Sequence, residues 1–130
     1  MWHALFLTLP TQPNAVRLRV WRALKTLGCG SLRDGVYVLP QAHAALFDPL
    51  VAEVRTHGGQ ANVLELSTRD DVQHAEVLAL FDRSEAYSQW RQEAQSLVAD
   101  LLALEETEAR RRWRGIADAL QTLRRIDYYP

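Results

Sequence analysis

The chain has 130 residues, 48% of them hydrophobic and 24% charged, which is the balance of a single globular domain and excludes wholesale disorder. Fifteen Lys plus Arg against sixteen Asp plus Glu leave a net charge of -1, so nucleic-acid binding would need a local basic surface. One cysteine excludes an internal disulfide and a cysteine-only zinc site within one chain. No run approaches the roughly 20 apolar residues that span a bilayer. The apolar N-terminus lacks the basic start and small-residue cleavage site of a signal peptide, so the expected setting is the cytoplasm, with no membrane partner.

In chain order, Trp2 to Leu9 is an apolar, aromatic run stopped by Pro10 and predicts a buried strand. Thr11-Gln12-Pro13-Asn14 offers cap and first-turn residues to a helix whose core stripe is Val16, Val20, Ala23, Leu24 and Leu27, closed by Gly28. Cys29 to Arg33 and Val36 to Leu39 flank Asp34-Gly35, a pair suited to a type I′ hairpin turn. A helical pattern follows over Gln41 to His57, with Pro49 opening a fresh turn after Asp48 and Gly58-Gly59 ending it. Asn62 to Leu66 predicts the fourth strand.

This order is that of a ferredoxin-like βαββαβ unit, an α+β fold with helices on one face of an antiparallel sheet. Asp70 to Ile126 contains no proline and keeps helical periodicity, so residues 69–130 are expected to form a helical C-terminal extension packed on the 1–68 unit. Ser67 or Thr68 is the expected cap. Glu106 to Arg110 and Glu108 to Arg112 stand at i,i+4 in the orientation that stabilises an exposed helix.

The candidate binding residues are cationic. Arg19, Arg22 and Lys25 make an i,i+3 stripe on the first helix, with Leu18 and Trp21 nearby, Arg17 further round and Arg33 beside the hairpin turn. Such a stripe suits DNA phosphates or a tetrahedral oxyanion; the plain alternative is a solvated face with Arg stems covering Trp21. Arg110, Arg111, Arg112 and Arg114 around Trp113 form a secondary basic patch, which the preceding glutamates explain as a salt-bridged helix face. His3, His43, His57 and His74 have no metal-ligand spacing, Cys29 reads as a small buried hydrophobe, and Asp34 is explained by turn chemistry. No nucleophile elbow or phosphate-cradling glycine loop is present, so no catalytic residue, metal or cofactor is expected and the chain reads as a non-enzyme.

Arg17-Leu-Arg-Val-Trp-Arg-Ala-Leu-Lys-Thr-Leu-Gly28 followed by Leu32-Arg-Asp-Gly-Val-Tyr-Val-Leu-Pro40 resembles the signature region of the ChrB N-terminal domain. Phe81-Asp-Arg-Ser-Glu-Ala-Tyr87 and Ile126-Asp-Tyr-Tyr-Pro130 are similar to that family too, so the resemblance covers nearly the whole chain. The helix and hairpin look more distantly like the central domain of PaaX-type repressors and the ferredoxin-like CRISPR adaptation nucleases; the latter carry an acidic metal ligand at the end of the first strand, where this chain has Thr8-Leu9-Pro10-Thr11. The resemblance implies the N-terminal part of a longer, chromate-responsive transcriptional regulator of chromate resistance. Its expected partners are promoter DNA, bound through Arg17, Arg19, Arg22, Lys25 and Arg33, and chromate. Two alternatives stay open: an oxyanion sensor, or an interaction module forming a homodimer through the sheet edge or the long helices, where Leu97 and Leu101 are expected on an exposed apolar stripe.

Overall fold

The computed structural model describes residues 1–11 and 14–130, so the capping expectation at Gln12 and Pro13 lies outside the described residues. Contacts divide the chain into two compact units, Met1–Phe81 and Asp82–Pro130.

The first unit is mixed α/β. Strand β1 (Trp2–Thr8) leads to helix α1 (Asn14–Leu27), the hairpin β2 (Gly30–Arg33) and β3 (Val36–Pro40), a 3₁₀ segment over Gln41–Phe47, helix α2 (Asp48–Thr56), strand β4 (Gln60–Leu66) and helix α3 (Asp71–Ala79). The four strands form one sheet in the order β2-β3-β1-β4, and every neighbouring pair is antiparallel.

Register assigns the two sheet faces. Leu5 lies opposite Tyr37 and Val63, whereas Ala4 lies opposite Val38 and Leu64, and successive side chains of a strand point to opposite faces. Helices α1 and α2 cover the Leu5 face with Val16, Val20, Leu24, Leu50 and Val54, all buried. Each such side chain contributes about 1.5–3 kcal/mol of apolar burial. Arg55 ties α2 to β4 by donating to the Ala61 carbonyl from Nε (3.1 Å) and Nη2 (2.8 Å).

Helix α3 serves the other face. The His74 ring packs against buried Trp2 with centroids 5.0 Å apart, and a Cβ on Gly30 would meet Leu80 at 2.9 Å. Periodicity alone places this segment in the helical extension; it belongs instead to the compact unit containing the sheet. Its cap also differs from the Ser67 or Thr68 expected. Asp70 is the N-cap, its Oδ1 accepting from the Gln73 amide at 2.9 Å, while Gln73 Oε1 accepts from the Arg69 amide at 3.1 Å.

Two turns carry the geometry of the site. The hairpin turn is not type I′, because that turn needs positive φ at both central residues and only Gly35 has it (φ +82°). The Gly35 carbonyl accepts from the Leu7 amide at 2.8 Å, and a Cβ there would stand 2.8 Å from the Leu7 carbonyl oxygen, so the turn is seated on β1. A register shift between Ser31 and Arg33 leaves Leu32 as an exposed bulge. Helix α2 begins with its proline in the first turn, as expected, and ends in a Schellman motif, with the Gly58 amide donating to Arg55 O (3.1 Å) and the Gly59 amide to Val54 O (2.9 Å).

The second unit is a helical hairpin of α4 (Ser84–Asp100) and α5 (Glu106–Ile126), joined through a single 3₁₀ turn at Leu101–Ala103. Asp82 receives the Ser84 amide at 2.9 Å and also its hydroxyl; these hydrogen bonds hold its carboxyl below the usual carboxylate range. Trp90 Nε1 donates to Ile116 O (2.8 Å), Arg83 Nε to Ile126 O (3.2 Å) and the Tyr87 hydroxyl to Asp127 Oδ2 (2.9 Å). The last two staple the open end of the hairpin, and the Trp90 bond ties its middle. Leu97 is buried, which corrects its expected place on an exposed stripe; the exposed apolar residues of that stretch are Val98, Leu101 and Leu102.

Candidate nucleic-acid interface

Helix α1 presents three distinct faces. Val16, Val20 and Leu24 point to the sheet, as their spacing requires. Arg19 turns toward α2, where its Nε donates to Glu53 Oε1 at 2.7 Å. Arg17, Leu18 and Trp21 line a groove of about 910 Å³ that runs between α1, the end of β1 and the β2–β3 hairpin.

The groove is amphipathic by construction. Leu7, Leu9, Val20 and Leu24 supply apolar surface, Trp21 and Tyr37 aromatic surface, and Asn14, Thr8, Arg17 and Asp34 polar groups. Tyr37 reaches it because β3 is seated by the Gly35 turn. Lys25, one helical turn beyond Trp21, places its ammonium 4.2 Å from the indole centroid, a cation–π contact that fixes the ring; Trp21 nevertheless remains 53% exposed.

The five predicted cations have different surroundings. Arg17 joins the groove, Lys25 supports its aromatic wall, Arg22 stays exposed on the outer face of α1, and Arg33 is exposed on the edge strand at the hairpin turn. Arg19 is occupied by Glu53. Among the described residues, Arg17, Arg22, Lys25 and Arg33 make no ion pair.

The secondary patch on α5 has the opposite character. Arg110 pairs with Glu106 at 2.6 Å, as its i,i+4 spacing predicts. Arg111, rather than Arg112, takes Glu108, donating from both Nε (2.9 Å) and Nη2 (2.6 Å), so the expected Glu108–Arg112 pair is replaced by an i,i+3 one. Hydrogen bonding to the Arg111 guanidinium holds the Glu108 carboxyl below its ordinary range, and the Glu108 carboxylate raises Arg111 in turn. Arg112 reaches back across the hairpin to Asp100 at 3.3 Å. Only Arg114 of the four makes no ion pair among the described residues.

Among the described residues, no three His, Cys, Asp or Glu side chains gather as a metal site would require. His57 Nδ1 lies 2.9 Å from Glu53 O, the His74 ring packs tilted against Trp2, and Cys29 is half-buried with its thiol donating to Leu24 O at 3.4 Å. No helix among the described residues is long and apolar enough to cross a membrane.

Sequence reasoning misses Tyr37 and Glu53. Tyr37 is legible in principle, since strand alternation places it on the face covered by α1; Glu53 is not, because nothing local links it to Arg19.

Comparison with known proteins bears on these same elements. The family described as Protein ChrB, N-terminal, matches residues 17–120, which include most of α1, the hairpin and most of the helical unit. Protein ChrB of Cupriavidus metallidurans (strain ATCC 43123 / DSM 2839 / NBRC 102507 / CH34) is 37% identical over 135 aligned residues, covering 99% of this chain and 40% of its own length. The chain thus spans about 40% of the curated relative it matches. No solved structure matches it. With the family's match running from Arg17 at the groove through the α4–α5 hairpin, and the relative aligned along almost the whole sequence, the chain belongs to the ChrB N-terminal family.

Proposed function

We propose that this chain is a non-catalytic, cytoplasmic regulatory module of a chromate-responsive transcriptional regulator, which contacts promoter DNA through α1 and the adjoining hairpin. The observation that carries the reading is the contrast between the two Arg-rich helices. On α5 three of the four patch arginines are held by carboxylates, whereas Arg17, Arg22 and Lys25 on α1 are exposed or groove-lining and unmatched by an ion-pairing carboxylate among the described residues. Cations left available in this way attract phosphate and release counterions on binding. Family membership supports the regulatory part of the reading. A ferredoxin-like assignment of the first unit is supported by its β1-α1-β2-β3-α2-β4 order and by β1 and β3 lying at the centre of the sheet.

The test is promoter binding across a salt series. Fragments from the chromate-resistance promoter should bind with a steep inverse salt dependence. Arg17→Ala combined with Arg22→Ala should lower the slope of log affinity against log salt by about 2, one unit per lost phosphate contact. Binding unaffected by salt, or by this pair of substitutions, rejects the reading. Repeating the series with chromate, and with sulfate as competitor, tests whether the module itself responds to the oxyanion.

A second reading has its own observation. Val98, Leu101 and Leu102 are exposed where α4 gives way to the 3₁₀ turn, with Leu102 fully so, and such a cluster suits a homodimer contact. Sedimentation of the protein and of Leu102→Ser decides it: a dimer weakened by the substitution supports this reading, and a strict monomer at high concentration removes it.

A further inference from the structure

Phosphates account for the cations of α1, yet the groove beside them is walled by aromatic rings and floored by aliphatic side chains, a lining that phosphate has no use for. We infer that this groove seats an unstacked base, so that the module binds single-stranded DNA in preference to duplex; the inference rests on the DNA-binding reading of α1. Arg17, Trp21 and Lys25 stand at i, i+4 and i+8, on one side of the helix, with each step climbing about 6 Å along the axis. Arg17 stands one turn before the half-exposed indole and the Lys25 ammonium lies over the indole itself, so cations for backbone phosphates adjoin an aromatic platform. Lys25 already holds the Trp21 ring in place at 4.2 Å, and Tyr37 lines the same groove from β3. Stacking platforms between backbone cations are how single strands are held without reading their sequence. A paired base cannot enter, because its faces are covered by its neighbours in the duplex.

The groove is a poor match for a small inorganic oxyanion. Among the described residues Arg17 is its sole cationic lining residue, Asp34 adds a negative charge, and most of the remaining lining is apolar or aromatic. A tetrahedral oxyanion needs several converging donors instead.

Fluorescence anisotropy of the full chain with a labelled oligothymidylate, and with the same strand annealed to its complement, tests the inference. The single strand should bind more tightly than the duplex. Trp21→Ala should weaken single-strand binding by about 5- to 150-fold, the worth of one stacked base, while duplex binding changes little. Trp21→Phe, which keeps an aromatic face, should restore most of the loss and guards against a folding artefact. Equal affinity for the two forms, or equal loss of both on Trp21→Ala, overturns the inference while leaving phosphate binding by α1 intact. If neither form binds, the DNA-binding reading falls and this inference falls with it.

Discussion

The glycines provide a graded test of how the hairpin turn is held. Gly35 has a positive φ (+82°) and a Cβ added to it would be 2.8 Å from the Leu7 carbonyl oxygen; Gly58 has φ +83° with open space around it; Gly59 lacks the positive φ, but its Cβ would meet Thr8 O and Val54 Cγ1, each at 2.7 Å. Gly115, inside α5, has neither constraint. Left-handed backbone costs an L-residue about 1–2 kcal/mol, and forcing atoms into packed surroundings about 1–3 kcal/mol. Replacing Gly by Ala recovers about 0.4–1 kcal/mol by restricting the unfolded chain. Gly35→Ala should therefore cost about 1–4.5 kcal/mol, Gly59→Ala up to about 2.5 kcal/mol and Gly58→Ala up to about 1.5 kcal/mol, whereas Gly115→Ala should stabilise its helix by about 0.5–1 kcal/mol. Urea denaturation followed by far-ultraviolet circular dichroism measures the first three, and native-state hydrogen exchange of the α5 amides measures the fourth. A Gly35→Ala cost within about 0.5 kcal/mol of Gly58→Ala would refute the claim that the turn is seated on β1, since the Leu7 contact alone separates them.

Asp70→Ala should destabilise the first unit by about 1 kcal/mol in the same denaturation assay, because it strips the cap from the Gln73 amide at the start of α3. The Tyr87 hydroxyl, held by its hydrogen bond to Asp127, titrates above the usual tyrosine range. Its contribution to stability is present below the ordinary tyrosine pKa and is lost as pH rises through the higher folded value; in an absorbance titration Tyr87→Phe should delete the late tyrosinate step, and loss of an ordinary step instead would contradict the assignment. Glu53→Gln should free Arg19 at a stability cost within about 1 kcal/mol and steepen the salt dependence of promoter binding by about one phosphate contact. Unchanged binding by that variant would place Arg19 outside the interface.

The features legible in the sequence are those fixed by neighbours along the chain. Gly28 closes α1, Pro49 opens α2 and the β2–β3 hairpin turns at Asp34-Gly35, since each depends on one or two residues' backbone preferences. The turn type is not legible, because the two-residue pattern does not reveal that Gly35 must also approach Leu7, a contact set by the sheet. Helix α3 shows a different kind of illegibility. Its periodicity fits a helix lying on a sheet as well as one in an extended bundle, and contacts distant in sequence, Trp2 with His74 and Gly30 with Leu80, decide between them. Ion pairs across elements are the least accessible: Arg19 to Glu53 and Arg112 to Asp100 depend on how helices lie side by side, and competition among neighbouring arginines gives Glu108 to Arg111.

That competition bears on how an Arg-rich sequence becomes, or fails to become, a phosphate-binding surface. The α5 cluster has more arginines in a shorter span than α1, and by composition alone it is the stronger candidate. Yet an exposed guanidinium engaged by a carboxylate must lose that partner before it can take a phosphate, and the carboxylate then repels the strand it faces. On α1 only Arg19 carries this handicap. Its pairing with Glu53 also joins α1 to α2, so the residue that contributes least free charge helps hold the helix whose opposite flank carries Arg17 and Trp21. With a net charge of -1, the protein gains little attraction for DNA at long range, and the distribution of partners among its arginines becomes the deciding quantity.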